Sequence, residues 1–162
     1  MNYARAIAAA ALSLALTVPT LGAEYMEKTE RQKQRAYSPG VITEGGRIVW
    51  LAGQTGLRDE NGKDNSGNFE AQARTAFRLI DQTLKKAGGS LANLVTMTVF
   101  ISDARYGDRL TEIRRELFAD GNYPGSALIT VTGFAVPGIL LEIQGVAVIG
   151  DRCSSANPCL PR

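Results

Sequence analysis

Between Gly138 and Ile149 the chain alternates in a way few folds can absorb. In an extended strand, Leu141, Ile143, Ala147 and Ile149 fall on one face. Leu140, Glu142, Gln144, Val146 and Val148 fall on the other, because successive side chains of a strand point to opposite sides. The first face is apolar throughout and requires cover. The second is apolar at its ends and polar at its centre. A carboxylate inside an apolar β run is costly unless a donor, water or a cleft meets it. Glu142 is therefore the first functional candidate.

The rest of the chain supplies the cover. Phe69, Ala73, Phe77, Ile80, Leu84 and Ala87 recur at steps of three and four, and Gly88-Gly89 follows them. That is an amphipathic helix with a glycine stop. A second helix turns Leu110, Ile113 and Leu117 inward and Glu112, Arg115 and Glu116 outward. Val41-Ile42-Thr43 and Ile48 to Ala52 are expected to form a hairpin around Gly45-Gly46. Trp50 is assigned to the core. Gly53 to Asn68 is a long polar loop, Leu94 to Ile101 a strand and Ser126 to Thr132 another. The order is ββ-α-β-α-ββ. Two helices cover only one face of such a sheet. The Glu142 face would then expose Leu140, Val146 and Val148, and self-association is the simplest cover. Two-fold pairing is the commonest arrangement, but nothing in the pattern fixes the number.

Composition narrows the chemistry. None of the 162 residues is histidine. That excludes Ser-His-Asp and Cys-His nucleophile systems and every histidine-bearing metal site. A general acid or base must be Asp, Glu, Lys, Tyr, Cys or water. The formal net charge is +2, with no long basic run, so nothing points to a nucleic-acid partner. Gly53-Gln54-Thr55-Gly56 lacks the lysine and the spacing of a phosphate loop.

The N-terminus reads as an export signal. Arg5 precedes an apolar run from Ala6 to Val18, too short for a comfortable span, and Leu21-Gly22-Ala23 offers a cleavage site. An uncleaved anchor is the alternative. The expected organisation is a signal peptide over 1–23, a charged linker over 24–36, the domain over 37–150 and a tail over 151–162. The destination is periplasmic or secreted, with no membrane association after cleavage. There an oxidising milieu permits a Cys153–Cys159 disulfide, against two free thiols on a loose tail.

The segments Val49 to Gly56, Leu94 to Ser102, Tyr123-Pro124 and Leu141 to Val148, in that order, resemble the Rid family, the reactive intermediate deaminases also called YjgF-like. The resemblance runs from about Tyr37 to Ile149. It implies an α+β, chorismate-mutase-like fold, with two helices on one face of a mixed sheet. It implies a homotrimer with small-molecule clefts at the subunit boundaries. It implies hydrolysis of enamines and imines to a keto acid and ammonia, without metal or organic cofactor. Carried over by position, Glu142 would orient the attacking water. Tyr37, Ala52, Gly53, Thr111 and Ser126 would contact substrate.

The chain departs from the pattern at Ala52, where the family often has serine or threonine, and more seriously at Ser126. Deaminating members carry an arginine two residues after the proline of a Pro-Ala-Arg-Ser-like turn, and here Pro124-Gly125-Ser126 puts serine there. A guanidinium grips a carboxylate through two parallel charge-assisted hydrogen bonds, whereas serine offers one neutral donor. Arg105 and Arg109 are the candidates to replace the missing cation, with a solvated face as the alternative. Glu142 could instead bond backbone amides, Ser126 could be a turn residue and Tyr37 could pack a lid. Two functions follow. One is an imine deaminase with altered substrate preference. The other is a non-catalytic exported trimer that binds a small ligand or a partner protein.

Overall fold

A four-stranded mixed sheet with two helices behind it carries the molecule in a computed structural model that describes residues 22–153 and Cys159. The expected export signal lies outside the described residues except for Gly22 and Ala23. In chain order the elements are β1 (Glu24–Tyr25), α1 (Glu30–Arg35), β2 (Val41–Ile42), β3 (Arg47–Gln54), α2 (Phe69–Lys86), β4 (Leu94–Ile101), α3 (Gly107–Leu117), β5 (Gly125–Thr130) and β6 (Leu141–Ile149). The large sheet runs β3-β6-β4-β5. Its β4–β5 pair is parallel, joined across α3, and the other pairs are antiparallel. The ββ-α-β-α-ββ order stands, with β1 and α1 added in front.

The core lies between the sheet and the helix layer. Phe77, Ile80 and Leu84 of α2 meet Leu110 and Ile113 of α3 and Met97, Val99, Leu141 and Ile143 of the sheet, all fully or almost fully buried. Each such side chain contributes about 1.5–3 kcal/mol by leaving water. Asn68 caps α2 by accepting from the Ala71 amide at 3.0 Å. At the other end Gly88, at φ 83°, turns the chain so that the Gly89 amide reaches the Leu84 carbonyl. Leu117, expected inward, is 39% exposed, and Phe118 fills the core in its place. The chain leaves the helix at Phe118, whose φ of −115° and ψ of 56° swing that ring under the layer.

Three expectations are corrected. The hairpin is not formed: β2 pairs with β1, while β3 pairs with β6. Glu24–Tyr25 supplies β2 with a partner, and Gly45 and Gly46, both at positive φ, turn the chain into the large sheet. The charged stretch expected as a linker carries a capped helix. Thr29 and Gln32 form a reciprocal capping box at the start of α1, and the following Ala36 is fully buried. Trp50 is 79% exposed rather than core. On β3 it is Val49 and Leu51 that face the helices, so alternation turns Trp50 to the uncovered side.

Cys153 and Cys159 are joined by a disulfide. The preceding Asp151 is buried and accepts from the amides of Cys153 (2.7 Å) and Glu44 (3.2 Å). The Cys159 amide donates to Glu24 at 2.8 Å. Cys159 is thus held to β1 of the small sheet.

Candidate functional site

Glu142 sits on the uncovered face of β6, half-buried, opposite Phe100 of β4. Two features fix its surroundings. The first is a bulge in β3. Leu51 pairs with Gly145 and Gln54 with Ile143, so Ala52 and Gly53 together oppose Gln144. Such an extra residue bends the strand and re-aims its backbone. The second is the glycine itself. A Cβ on Gly53 would stand 1.8 Å from Glu142 Oε1 and 3.0 Å from its Cγ. The carboxylate therefore lies over the bare Gly53 backbone, in space that any other residue would occupy. No hydrogen bond or ion pair from the described residues reaches that carboxylate. Ala52, exposed, flanks it.

Gln72 anchors the entry to β6. This fully buried α2 residue donates to the carbonyls of Gly138 (2.7 Å) and Asn65 (3.0 Å) and accepts from the Leu140 amide (2.8 Å). One side chain thus ties the long loop after β3 to the residues just before Glu142.

Tyr37 and Ser126 come together elsewhere, in a cleft of about 400 Å³ that Thr96, Thr98, Ser38 and Val41 also line. Tyr37 is delivered by the end of α1. Ala36 adopts φ 52°, and the Tyr37 amide closes on the Gln32 carbonyl at 3.2 Å. Ser38 then bridges to Gly125 and donates its hydroxyl to the Tyr123 carbonyl at 2.6 Å. This fixes the chain along the start of β5. Thr111 lies buried on α3 with its hydroxyl donated to the Gly107 carbonyl at 2.9 Å.

One turn further along α3 is Arg114, which the sequence reading did not single out. It is 3% exposed. It donates to Ser126 Oγ at 2.9 Å and to the Arg35 carbonyl at 2.8 Å, and its Nε has no partner. Burial, and then the like charge of Arg35, pushes its pKa down to about 10, so it stays charged at neutral pH. The spacing held the signal: Arg114 follows the inward-facing Leu110 by four residues, which puts both on one helix face. Arg105 and Arg109 are not spare cations. Arg105 is paired with Asp103, and Arg109 with Glu70 and Glu112.

The candidate residues therefore fall into two groups. Ser126 pairs with Met97, a core residue, and so faces the helix layer. Glu142 faces the other way, two strands over and three residues along, roughly 14 Å by strand spacing and rise. The sheet stands between the Glu142–Gly53 group and the Ser126–Arg114 group. Among the described residues, the group with metal-ligand spacing is Glu44, Cys153 and Cys159, and the disulfide consumes both sulfurs. No helix among those residues is long and apolar enough to cross a membrane.

Fold and site define a class: an α+β, chorismate-mutase-like domain whose mixed sheet bears a carboxylate on its open side. The family model described as Endoribonuclease L-PSP matches residues 28–149, starting within the arm ahead of Tyr37. A human protein named 2-iminobutanoate/2-iminopropanoate deaminase is 31% identical over 121 residues, 74% of this chain and 85% of that protein. A RutC family protein of Aquifex aeolicus is 33% identical over 113 residues, 69% and 87% of the two chains. The crystal structure of the Rid-family protein YyfB from Yersinia pestis superposes with a TM-score of 0.69 at 20% identity, covering 77% of this chain and 96% of that one, which establishes the fold. The chain belongs to the Rid, or YjgF-like, family.

Proposed function

We propose that this protein is a cofactor-free imine deaminase of the Rid type, working outside the cytoplasm as a homotrimer. The reaction adds water to a C=N carbon and then expels ammonia to leave a carbonyl. Glu142 accepts a hydrogen bond from the water and takes its proton as the C–O bond forms. That proton goes to the nitrogen, and the carbinolamine collapses to the carbonyl product and ammonia. A positioned base of this kind contributes typically about 10²–10⁴-fold. The observation that carries the reading is the Glu142 carboxylate lying over the Gly53 bulge with no partner among the described residues. Relatives named for imine deamination support the same chemistry.

The assembly reading rests on the uncovered face. Trp50, Ile48 and Ile129 are exposed there, and a second copy would shield them. A neighbouring copy is also what could bring a Ser126 edge to a Glu142 face, since the sheet separates the two within one chain. Substrate preference follows from Ser126. One neutral donor in place of a guanidinium fork loses about 1.5–3 kcal/mol. Carboxylate-bearing imines are then held about 10–100-fold less tightly than in arginine-bearing members. The nuclease sense of the family description gains no support here, because Arg105 and Arg109 are consumed by carboxylates rather than left to track phosphates.

The test uses the full chain expressed with its leader and recovered from a bacterial periplasm. Its mass should begin at Glu24, and it should sediment as a trimer. Imines generated in situ, with and without a carboxylate, are then offered to wild type and to Glu142→Ala. Turnover reduced at least about 100-fold in the variant supports the hydrolase. Absence of turnover on every imine, with a small molecule retained through purification, would leave a binding protein instead.

A further inference from the structure

The family match ends at residue 149, and the Cys153–Cys159 disulfide lies beyond it, at the far end of β6 from Glu142. Its surroundings are acidic. Glu44 brings a carboxylate oxygen to 3.3 Å from Cys159 Sγ. A disulfide sulfur has no proton to donate, so that approach gains nothing in the oxidised state. Asp151 is buried just before Cys153, and its Oδ2 has no hydrogen-bond partner among the described residues. Glu24 accepts from the Cys159 amide at 2.8 Å. Negative charge gathered around two sulfurs suits a cation. The disulfide is not what brings these residues together. The Glu44 amide donates to Asp151 Oδ1 at 3.2 Å, and the Glu44 carbonyl accepts from the Arg152 amide at 3.0 Å. The Cys153 amide donates to the same Asp151 oxygen at 2.7 Å. Glu24, which holds Cys159, pairs with Ile42 in the small sheet. Glu44, Cys153 and Cys159 are thus each anchored by main-chain hydrogen bonds in which sulfur takes no part.

We propose that reduction of this disulfide by a protein dithiol opens a Zn²⁺ site made of Cys153 Sγ, Cys159 Sγ and a Glu44 carboxylate oxygen. These atoms already lie within 4.8 Å of one another. Tetrahedral Zn²⁺, with bonds of about 2.0–2.3 Å, needs its ligand atoms roughly 3.5–4 Å apart, a spacing that side-chain rotation reaches from here. Cys153 is fully buried and Cys159 half-buried, so the thiolate of the reductant attacks Cys159 Sγ and Cys153 departs as a thiolate. The second thiol of the reductant then breaks the mixed disulfide. Two cysteine thiols remain here, and the reductant carries away a disulfide. Zn²⁺ displaces both thiol protons to water as the Zn–S bonds form. Glu44 supplies the third bond and water the fourth. Arg152, 3.5 Å from Glu44, faces the excess negative charge. Thiolates with one oxygen suit Zn²⁺, whereas Mg²⁺ and Ca²⁺ take oxygen ligands. The site does not rest on the deaminase reading, since it needs neither Glu142 nor turnover.

The test compares the two redox forms of the full exported protein. One sample is reduced with dithiothreitol, freed of it under argon and titrated with Zn²⁺ against a chromophoric chelator. The other is titrated oxidised. Reduced wild type should bind one equivalent at least about 100-fold more tightly than oxidised wild type, releasing about two protons. Co²⁺ in place of Zn²⁺ should give the reduced form a thiolate-to-metal charge-transfer band that the oxidised form lacks. Cys153→Ser and Cys159→Ser should each abolish that band. Glu44→Gln, a change at an exposed side chain, should weaken Zn²⁺ binding at least about 10-fold while the circular dichroism stays that of wild type. Should Cys153→Ser fail to fold, Cys159→Ser, at the half-buried partner, decides the matter. Equal binding by both redox forms, no stoichiometric Zn²⁺ on reduced wild type, or full affinity in Glu44→Gln overturns the site.

Discussion

The two sides of the sheet hold charges of opposite sign, and neither meets a counter-ion among the described residues. On the open side Glu142 lies over a glycine bulge with no described partner. On the helix side Arg114 is buried beside Ser126 with no acid in contact. The exterior of the helix layer is different. There Glu70 binds both Arg74 and Arg109, and Arg109 also binds Glu112, so each charge is consumed locally. Charges that stabilise a surface are used up by neighbours. Glu142 and Arg114 have no counter-ion among the described residues. The carboxylate is aligned by backbone geometry and the guanidinium by its bonds to Ser126 and the Arg35 carbonyl, so the two should respond differently to mutation.

The sharpest way to break the acid's side leaves Glu142 untouched. Gly53→Ala puts a methyl 1.8 Å from Oε1 and 2.7 Å from the carboxyl carbon of Glu142. The displaced atoms end a flexible side chain, so folding should suffer little, within about 1 kcal/mol. A carboxylate moved by about 1 Å forfeits positioning worth roughly 100-fold. Imine turnover should fall by about that factor in kcat while the melting curve barely moves. A Gly53→Ala enzyme with normal kcat would mean the bulge does not aim the acid.

A smaller effect tests whether the open face is an interface. Trp50→Glu places a charge on the most exposed large apolar residue of the sheet. Tryptophan at the centre of an interface commonly contributes 2 kcal/mol or more. Subunit dissociation measured by sedimentation should rise at least about 30-fold, with activity falling at low protein concentration and returning at high. Unchanged sedimentation would put Trp50 outside any contact.

Legibility followed locality. The α2 stripe, the glycine stop and the faces of β6 are set by residues a few positions apart, and they can be read from spacing alone. Glu142 was visible for the same reason, as a polar break in an alternating strand. Trp50 was misplaced because bulk argues for burial, whereas its face depends on which strand flanks β3. The hairpin failed because Glu24–Tyr25, far back in a charged stretch, competes for β2. Arg114 was within reach of the helical pattern, four residues after Leu110, but an arginine in an arginine-rich helix reads as surface. Its contact with Ser126 joins α3 to β5, and the hidden Nε appears only once α1 is folded against them.

The smallest effect distinguishes paired charges from unpaired ones through acid. Arg105 holds the Asp103 carboxyl down at about 2. Arg109, and then Arg74, hold Glu70 below the usual glutamate range. A carboxyl whose folded pKa lies below its unfolded value stabilises fully above the unfolded pKa of about 4, and that contribution is lost as pH falls through the folded one. For Asp103 the window runs from about 4 to about 2. Both carboxyls are partly exposed and salt screens them, so the loss should be modest and should shrink in concentrated salt. Urea midpoints at pH 5 and pH 2.5 read it. Arg105→Ala should remove the Asp103 share. Arg114→Gln should leave the acid loss intact, because a guanidinium that titrates near 10 stays protonated across the whole window. If Arg114→Gln instead abolished the acid sensitivity, the arginine would have an acidic partner in solution, and the contrast between the two sides of the sheet would collapse.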